Sequence, residues 1–154
     1  MGGRESEESA VHVEGLLSSK GDAVVTVAPA ATVADVVATL AEHRVGALVV
    51  SDDGSHVDGI VSERDVVRAL ADHGGDLLDH EVATIMTREV VTCELQTTVD
   101  ELSSRMTERR IRHMPVVVDG ALAGIVSIGD VVKDRIKDLE TETQTLHEYI
   151  SHGR

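Results

Sequence analysis

Two stretches of this chain are copies of each other, and a repeat limits the possible folds before any residue-level reading begins. VVTVAPAATV, from Val24 to Val33, aligns with VVTCELQTTV, from Val90 to Val99, at an offset of 66 residues. The register holds through Glu42 with Glu108, Arg44 with Arg110, Val45 with Ile111 and Val50 with Val116. One residue is then lost where DDGS faces DG, and the offset becomes 65 for GIVSERDVV (Gly59 to Val67) against GIVSIGDVV (Gly124 to Val132). Seven of those nine positions are identical, and the indel falls at a turn, as duplication of a folded unit would leave it.

Each copy has the same local grammar. Val24 to Val27 is a short β-rich run that Pro29 ends. Thr32 with Asp35, and Thr98 with Glu101, open a helix in each copy with a capping-box pattern. Val33, Val36, Val37, Leu40 and Ala41 fall on one face of the first of these helices. Ala47 to Val50 and Val57 to Val61 are predicted strands joined at Asp52, Asp53 and Gly54; Met114 to Val118 and Leu122 to Val126, joined at Asp119 and Gly120, are their counterparts. A last helix begins after Ser62 and after Ser127. The predicted fold is therefore α/β (α+β): two β-α-β-β-α repeats. Units of roughly 50 to 60 residues bury too little alone, so the copies are expected to pack face to face about a pseudo-twofold axis.

The expected divisions are a disordered acidic tail at 1–10, a first domain at 11–75, a second at 82–137 and a helical extension at 138–154. Val132, Ile136, Leu139, Thr143, Leu146 and Ile150 step by 4, 3, 4, 3 and 4, a coiled-coil-like seam with one polar interruption. Such a seam serves either a homodimer contact or packing on its own domain.

Composition excludes several classes of function. The single aromatic ring, Tyr149, leaves a core of Val, Leu, Ile, Ala and Met and no stacking platform for bases. A formal charge of −14 has the wrong sign for a partner of nucleic acid or anionic membrane. A lone cysteine, Cys93, rules out an internal disulfide and reads as a buried small hydrophobe. Eight histidines occur without a His-Glu-x-x-His pattern and read as surface residues, so no metal site is expected. No apolar run approaches ~18 residues and the first ten are polar, which points to a cytoplasmic protein. No base, nucleophile or metal set is nominated for catalysis, and the chain is not expected to be an enzyme.

The repeated residues carry a resemblance. VVTVAPAATV, RVGALVV and GIVSERD, with IMTREVVTC, RIRHMPVVVDG and GIVSIGD, resemble a tandem pair of cystathionine-β-synthase (CBS) domains, a Bateman module, over roughly residues 15 to 137. The resemblance implies a stand-alone regulatory module that binds adenosine-containing ligands between its domains: AMP, ADP, ATP, NAD(H) or S-adenosylmethionine. It would act as an energy or redox sensor for an unknown partner protein, without catalysis or catalytic cofactor. The alternative is a ligand-independent homodimeric interaction module.

By the same resemblance, Asp65 and Asp130 would accept from ribose hydroxyls, a role suited to a carboxylate. Ser62 and Ser127 lie at strand-to-helix junctions, where a hydroxyl and free N–H groups can meet a phosphate. Equally, Ser62 with Asp65 and Ser127 with Asp130 have the spacing of capping boxes that turn back on their own helices. Thr26 and Thr92 match positions that fix adenine or ribose, and also suit a strand for its own sake. Arg112 and His113 match positions that reach phosphates, and their first-copy counterparts, Gly46 and Ala47, carry no charge. Two unequal clefts follow. Arg64 is either a further phosphate contact or a solvated helix residue, and Arg109 and Arg110 either draw an anion or pair with surface acids.

Overall fold

The structure is a computed structural model and describes residues 11–21 and 23–152; the expected tail at 1–10 and the last two residues of the extension lie outside them. In the first copy, strand β1 (Thr26–Val27) leads through helix α2 (Val33–His43) to β2 (Ala47–Val50), β3 (Gly59–Ser62) and α3 (Glu63–His73). The second copy gives α4 (Val99–Arg109), β4 (His113–Val118), β5 (Ala121–Ser127) and the long α5 (Ile128–His152). A further helix, α1 (Val13–Lys20), precedes the first copy, and two short 3-10 turns, Gly74–Asp79 and Val82–Thr84, join the copies.

The predicted caps form. Thr32 accepts from Asp35 N while the Asp35 carboxylate accepts from Thr32 N, closing a full box at α2. At α4 only half of the expected box forms: Thr98 accepts from Glu101 N, and no return bond from Thr98 N to the Glu101 carboxylate is made among the described residues. Val33, Val36 and Leu40 are buried beneath α2, whereas Val37 and Ala41 are exposed, so the buried stripe is narrower than the apolar one.

One predicted element is reduced in the second copy, and the cause is a single residue. β1 pairs parallel with β2, Thr26 opposite Val49 and Val27 opposite Val50. Its counterpart makes only an isolated bridge, Cys93 with Val116. The residue that would stand opposite Thr92 is Pro115, which has no N–H to donate to the ladder. What survives is Cys93 N to Pro115 O at 3.0 Å and Val117 N to Cys93 O at 2.9 Å. The β4–β5 hairpin is correspondingly longer, its Asp119–Gly120 turn having positive φ at both residues. In the first hairpin β3 begins only at Gly59, two residues later than expected.

Two cores form, and they do not follow chain order. Val36, Leu40, Leu48, Val50 and Val61 of the first copy pack with Val82 from the link between the copies. The second core gathers Leu102, Met106, Met114, Val116 and Val126 with Val13, Leu16 and Leu17 of α1. Helix α1 thus docks on the second copy although it precedes the first, and the domain in space differs from the 11–75 division in sequence. Val13 N bonds Thr97 O at 2.8 Å, and Val99 N bonds Val11 O at 2.9 Å. Gly124 admits the helix: a Cβ there would lie 2.8 Å from Leu17 Cδ2. The equivalent Gly59 instead faces Met86, whose Sδ a Cβ would meet at 2.6 Å. Each copy's sheet is therefore covered by the segment that leads into the other copy. Burying each of these leucines is worth roughly 1.5–3 kcal/mol, so the exchange helps hold the pair together.

Candidate functional site

The two Gly-Ile-Val-Ser-x-x-Asp stretches end at strand-to-helix junctions. Ser62 is the N-cap of α3; it accepts from Asp65 N at 3.3 Å, while Asp65 Oδ2 accepts from Ser62 N at 2.9 Å and from Ser62 Oγ at 3.1 Å. Ser127 and Asp130 repeat the arrangement with Ser127 N at 2.8 Å and Ser127 Oγ at 3.1 Å on Asp130 Oδ2. Both aspartates are therefore capping residues in this structure. The described bonds fall on Oδ2, and Oδ1 of each carboxylate accepts none of them.

The surroundings of the two carboxylates differ. Asp65 opens into a cleft of about 510 Å³ formed by both copies, within the size range of small-ligand sites. Ser62, Arg64 and Asp65 line it from the first copy, Arg112 and His113 from the second. The structure thus brings these five sequence-predicted residues together. Arg109 and Arg110, from the end of α4, line it as well, and the structure adds Arg68, one turn along α3 from Arg64. None of the five arginines takes part in an ion pair among the described residues. Glu63, Asp65 and Glu89 are the acids of the cleft, and Ile60, Val90, Val91 and Ile111 give it an apolar wall. A local excess of positive charge in a chain of net charge −14 marks a place where an anion is drawn.

Backbone geometry shapes this arginine cluster. Arg110 ends α4 with φ at 54°, in the left-handed region, as does its counterpart Arg44 at the end of α2. A non-glycine residue in this conformation carries strain. The imidazole of His113 lies over Gly46, where a Cβ would stand 3.1 Å from its Cε1. The uncharged first-copy residue is thus what makes room for the second copy's histidine. Burial pushes the His113 imidazole below its usual 6.5, Lys20 adds to this, and Asp130 and Glu63 oppose it.

Asp130 has a different neighbour. Lys20, the last residue of α1, places its Nζ 2.7 Å from Asp130 Oδ2 and 2.9 Å from Ile125 O. Burial raises the Asp130 carboxyl, but hydrogen bonds from Lys20 and Ser127 outweigh it and leave it below the ordinary carboxylate value. Asp130 lines a separate depression with Lys20, Lys133 and Lys137. Thr92 lines a third, beside Cys93 and Arg105, and its carbonyl accepts from Arg105 Nη1 at 3.3 Å. Thr26 is half-buried on β1, and neither it, Thr92 nor Ser127 lines the arginine cleft. Sequence reasoning missed Lys20, whose partner is 110 residues away, and Arg68, which the i, i+4 spacing from Arg64 could have revealed.

Comparison with known proteins follows the repeat. The CBS domain family matches residues 18–72 and 82–137. The sequence is 40% identical over 126 residues to the CBS domain-containing protein CBSX3, mitochondrial, of Arabidopsis thaliana, an alignment covering 79% of this chain and 61% of that protein. The chain therefore spans about three fifths of that relative's length. In structure it is similar to the CBS-domain containing protein ATU1752 from Agrobacterium tumefaciens, with a TM-score of 0.79 and 48% identity over 81% of this chain and 99% of the other. The CBS domain pair of protein MJ0100, solved in complex with 5′-methylthioadenosine and S-adenosyl-L-methionine, superposes with a TM-score of 0.72 at 25% identity, over 80% and 98% of the two chains. Among the described residues no helix is long and apolar enough to cross a membrane.

Proposed function

Because the chain belongs to the CBS-domain family, we propose that it is a regulatory module whose arginine-lined cleft binds a phosphate-bearing adenosine ligand, AMP, ADP, ATP or NAD(H), and reports its level to a partner protein without catalysis of its own. The observation that carries this reading is the meeting of five arginines without ion-pair partners among the described residues with Ser62 and Asp65 across the boundary between the copies. The ribose hydroxyls donate to Asp65 Oδ1, which the cap leaves free. Phosphates lie toward Arg112, His113, Arg109 and Arg110, with Arg64 and Arg68 reaching from α3. Adenine rests on the aliphatic wall of Ile60, Val91 and Ile111, since no Phe, Tyr or Trp lines the cleft. Asp130 serves a second, weaker site whose carboxylate Lys20 must first release.

The cleft's charge also ranks the ligands. S-adenosylmethionine bears a cationic sulfonium and methylthioadenosine bears no phosphate, so neither exploits the guanidinium groups as a nucleotide does. A ligand spanning both copies changes their relative orientation only by its differential affinity for the two arrangements.

The test is to denature the purified chain, identify released small molecules by mass spectrometry, and titrate the ligand-free protein calorimetrically. ATP is expected to bind more tightly than AMP, and AMP more tightly than adenosine or S-adenosylmethionine. Equal affinities would remove the phosphate role. No heat with any adenosine compound would favour the second reading, an interaction module without a ligand, for which the exposed apolar seam of α5 speaks.

A further inference from the structure

Helix α5 leaves the globule part-way along its length. Val131 is buried in the second core, and Arg135 makes an ion pair with Asp100 of α4. From Ile136 to Ser151 every residue is exposed. A helical segment of this length is marginal in water when it packs on nothing. It nevertheless carries an apolar stripe: Val132 is 50% exposed, Ile136 51%, Leu139 62%, Leu146 59% and Ile150 57%. With Thr143, these positions repeat every 3.5 residues, the period of a two-helix seam rather than of a helix lying on a globule.

We propose that a second copy of this chain covers the stripe, the two α5 helices forming a parallel, in-register two-stranded coiled coil. The residue types choose the partner. Ile136, Thr143 and Ile150 occupy the a positions and Val132, Leu139 and Leu146 the d positions. In a parallel coil, β-branched residues at a with leucine at d favour two strands over three or four. The single polar residue, Thr143, is satisfied best opposite itself, which fixes the register.

The flanking charges choose the direction. In a parallel pair each g residue faces the following e residue of the other helix. That sets Arg135 against Glu140 of the second copy, and Glu142 against His147. Arg135 retains donors for this beyond its pair with Asp100, because its guanidinium has five. An antiparallel pair that uses all six seam residues packs Ile136 on Leu146, which sets Glu142 against Glu142 and Glu140 against Glu140 and brings like charges together. The inference does not depend on the ligand reading, since none of these residues lines the arginine cleft.

The experiment uses the full chain. Light scattering at micromolar concentration is expected to give twice the mass of one chain, and Leu139→Asp to raise the dimer dissociation constant at least about a hundredfold, because two leucines leave the seam of each dimer. A monomeric mass for the unaltered chain overturns the proposal, as does a dimer indifferent to Leu139→Asp. Direction is read with Ile136→Cys and Ile150→Cys, each oxidised separately with copper phenanthroline and run on a non-reducing gel. Each should link to itself, since equivalent residues face each other only in a parallel pair. Cys93 is buried, with its thiol pushed up to about 11, and gives little background. Failure of either to link to itself, or linking of Ile136→Cys only to Leu146→Cys in a mixture of those two variants, as an antiparallel pair requires, would overturn the proposal.

Discussion

Replacing Asp65 with alanine separates two tasks that one side chain performs. In the structure Asp65 Oδ2 takes Ser62 N at 2.9 Å and Ser62 Oγ at 3.1 Å, closing the cap of α3, while Oδ1 remains for a ligand. Losing half of a capping box costs about 1 kcal/mol of stability, which for a chain of this size lowers the melting temperature by roughly 2–4 °C. A hydroxyl bonded to a charged carboxylate is worth about 1.5–3 kcal/mol, which becomes about a 10- to 150-fold loss of affinity. Asp65→Ala should therefore lower the melting temperature by a few degrees without ligand and weaken ATP binding by one to two orders of magnitude in calorimetry. Asp65→Asn keeps a carbonyl oxygen for the cap but loses the charge, so it should melt close to the parent while still binding weakly. If Asp65→Ala melts lower yet binds ATP with unchanged affinity, the residue is a cap alone and the ribose assignment is wrong.

Three further outcomes are expected. Arg110→Gly relieves a left-handed residue and should raise the melting temperature by about 1–4 °C while weakening ATP roughly five- to tenfold; Arg44→Gly should stabilise without touching affinity, and a loss of stability in both variants would refute the strain argument. Because burial holds His113 below 6.5, the unfolded chain takes up the proton first as pH falls. The stability this residue confers is thus full above about pH 6.5 and is lost as pH drops through the folded value; urea midpoints measured against pH should show a shallower fall for His113→Gln, and identical slopes would refute it. Asp130 is depressed below 3.8, so its contribution is present above that value and lost as pH falls further. Lys20→Met should raise the Asp130 carboxyl in a carbon-13 NMR titration, and no rise would show that Lys20 is not what holds it down.

Much of the fold was legible because the duplicated residues carry local information. The caps at Thr32 and Thr98, the strand-to-helix turns at Ser62 and Ser127 and the Asp119–Gly120 hairpin depend on neighbours within a few residues, and they form as their spacing implies. The reduced first strand of the second copy was also within reach, since Pro115 lies in the segment against which Cys93 pairs. Of the site, Arg112 and His113 stood out as the charged half of an asymmetric pair, and the cluster from Arg109 to His113 as a place for an anion.

Sequence by itself determined the two repeats, their elements and the inventory of charged residues, because periodicity and capping act over a turn of helix or a pair of strands. Tertiary structure alone decided which residues share a cleft. Only when the copies pack does Gly46 come beneath His113, and Asp65 open onto arginines more than forty residues away. Likewise α1 crosses to the second core because Leu17 fits where Gly124 has no side chain, and that crossing delivers Lys20 to Asp130. A repeat makes both carboxylates look alike in sequence. Their environments diverge because each is completed by a segment from elsewhere in the chain, and those segments are not copies of each other.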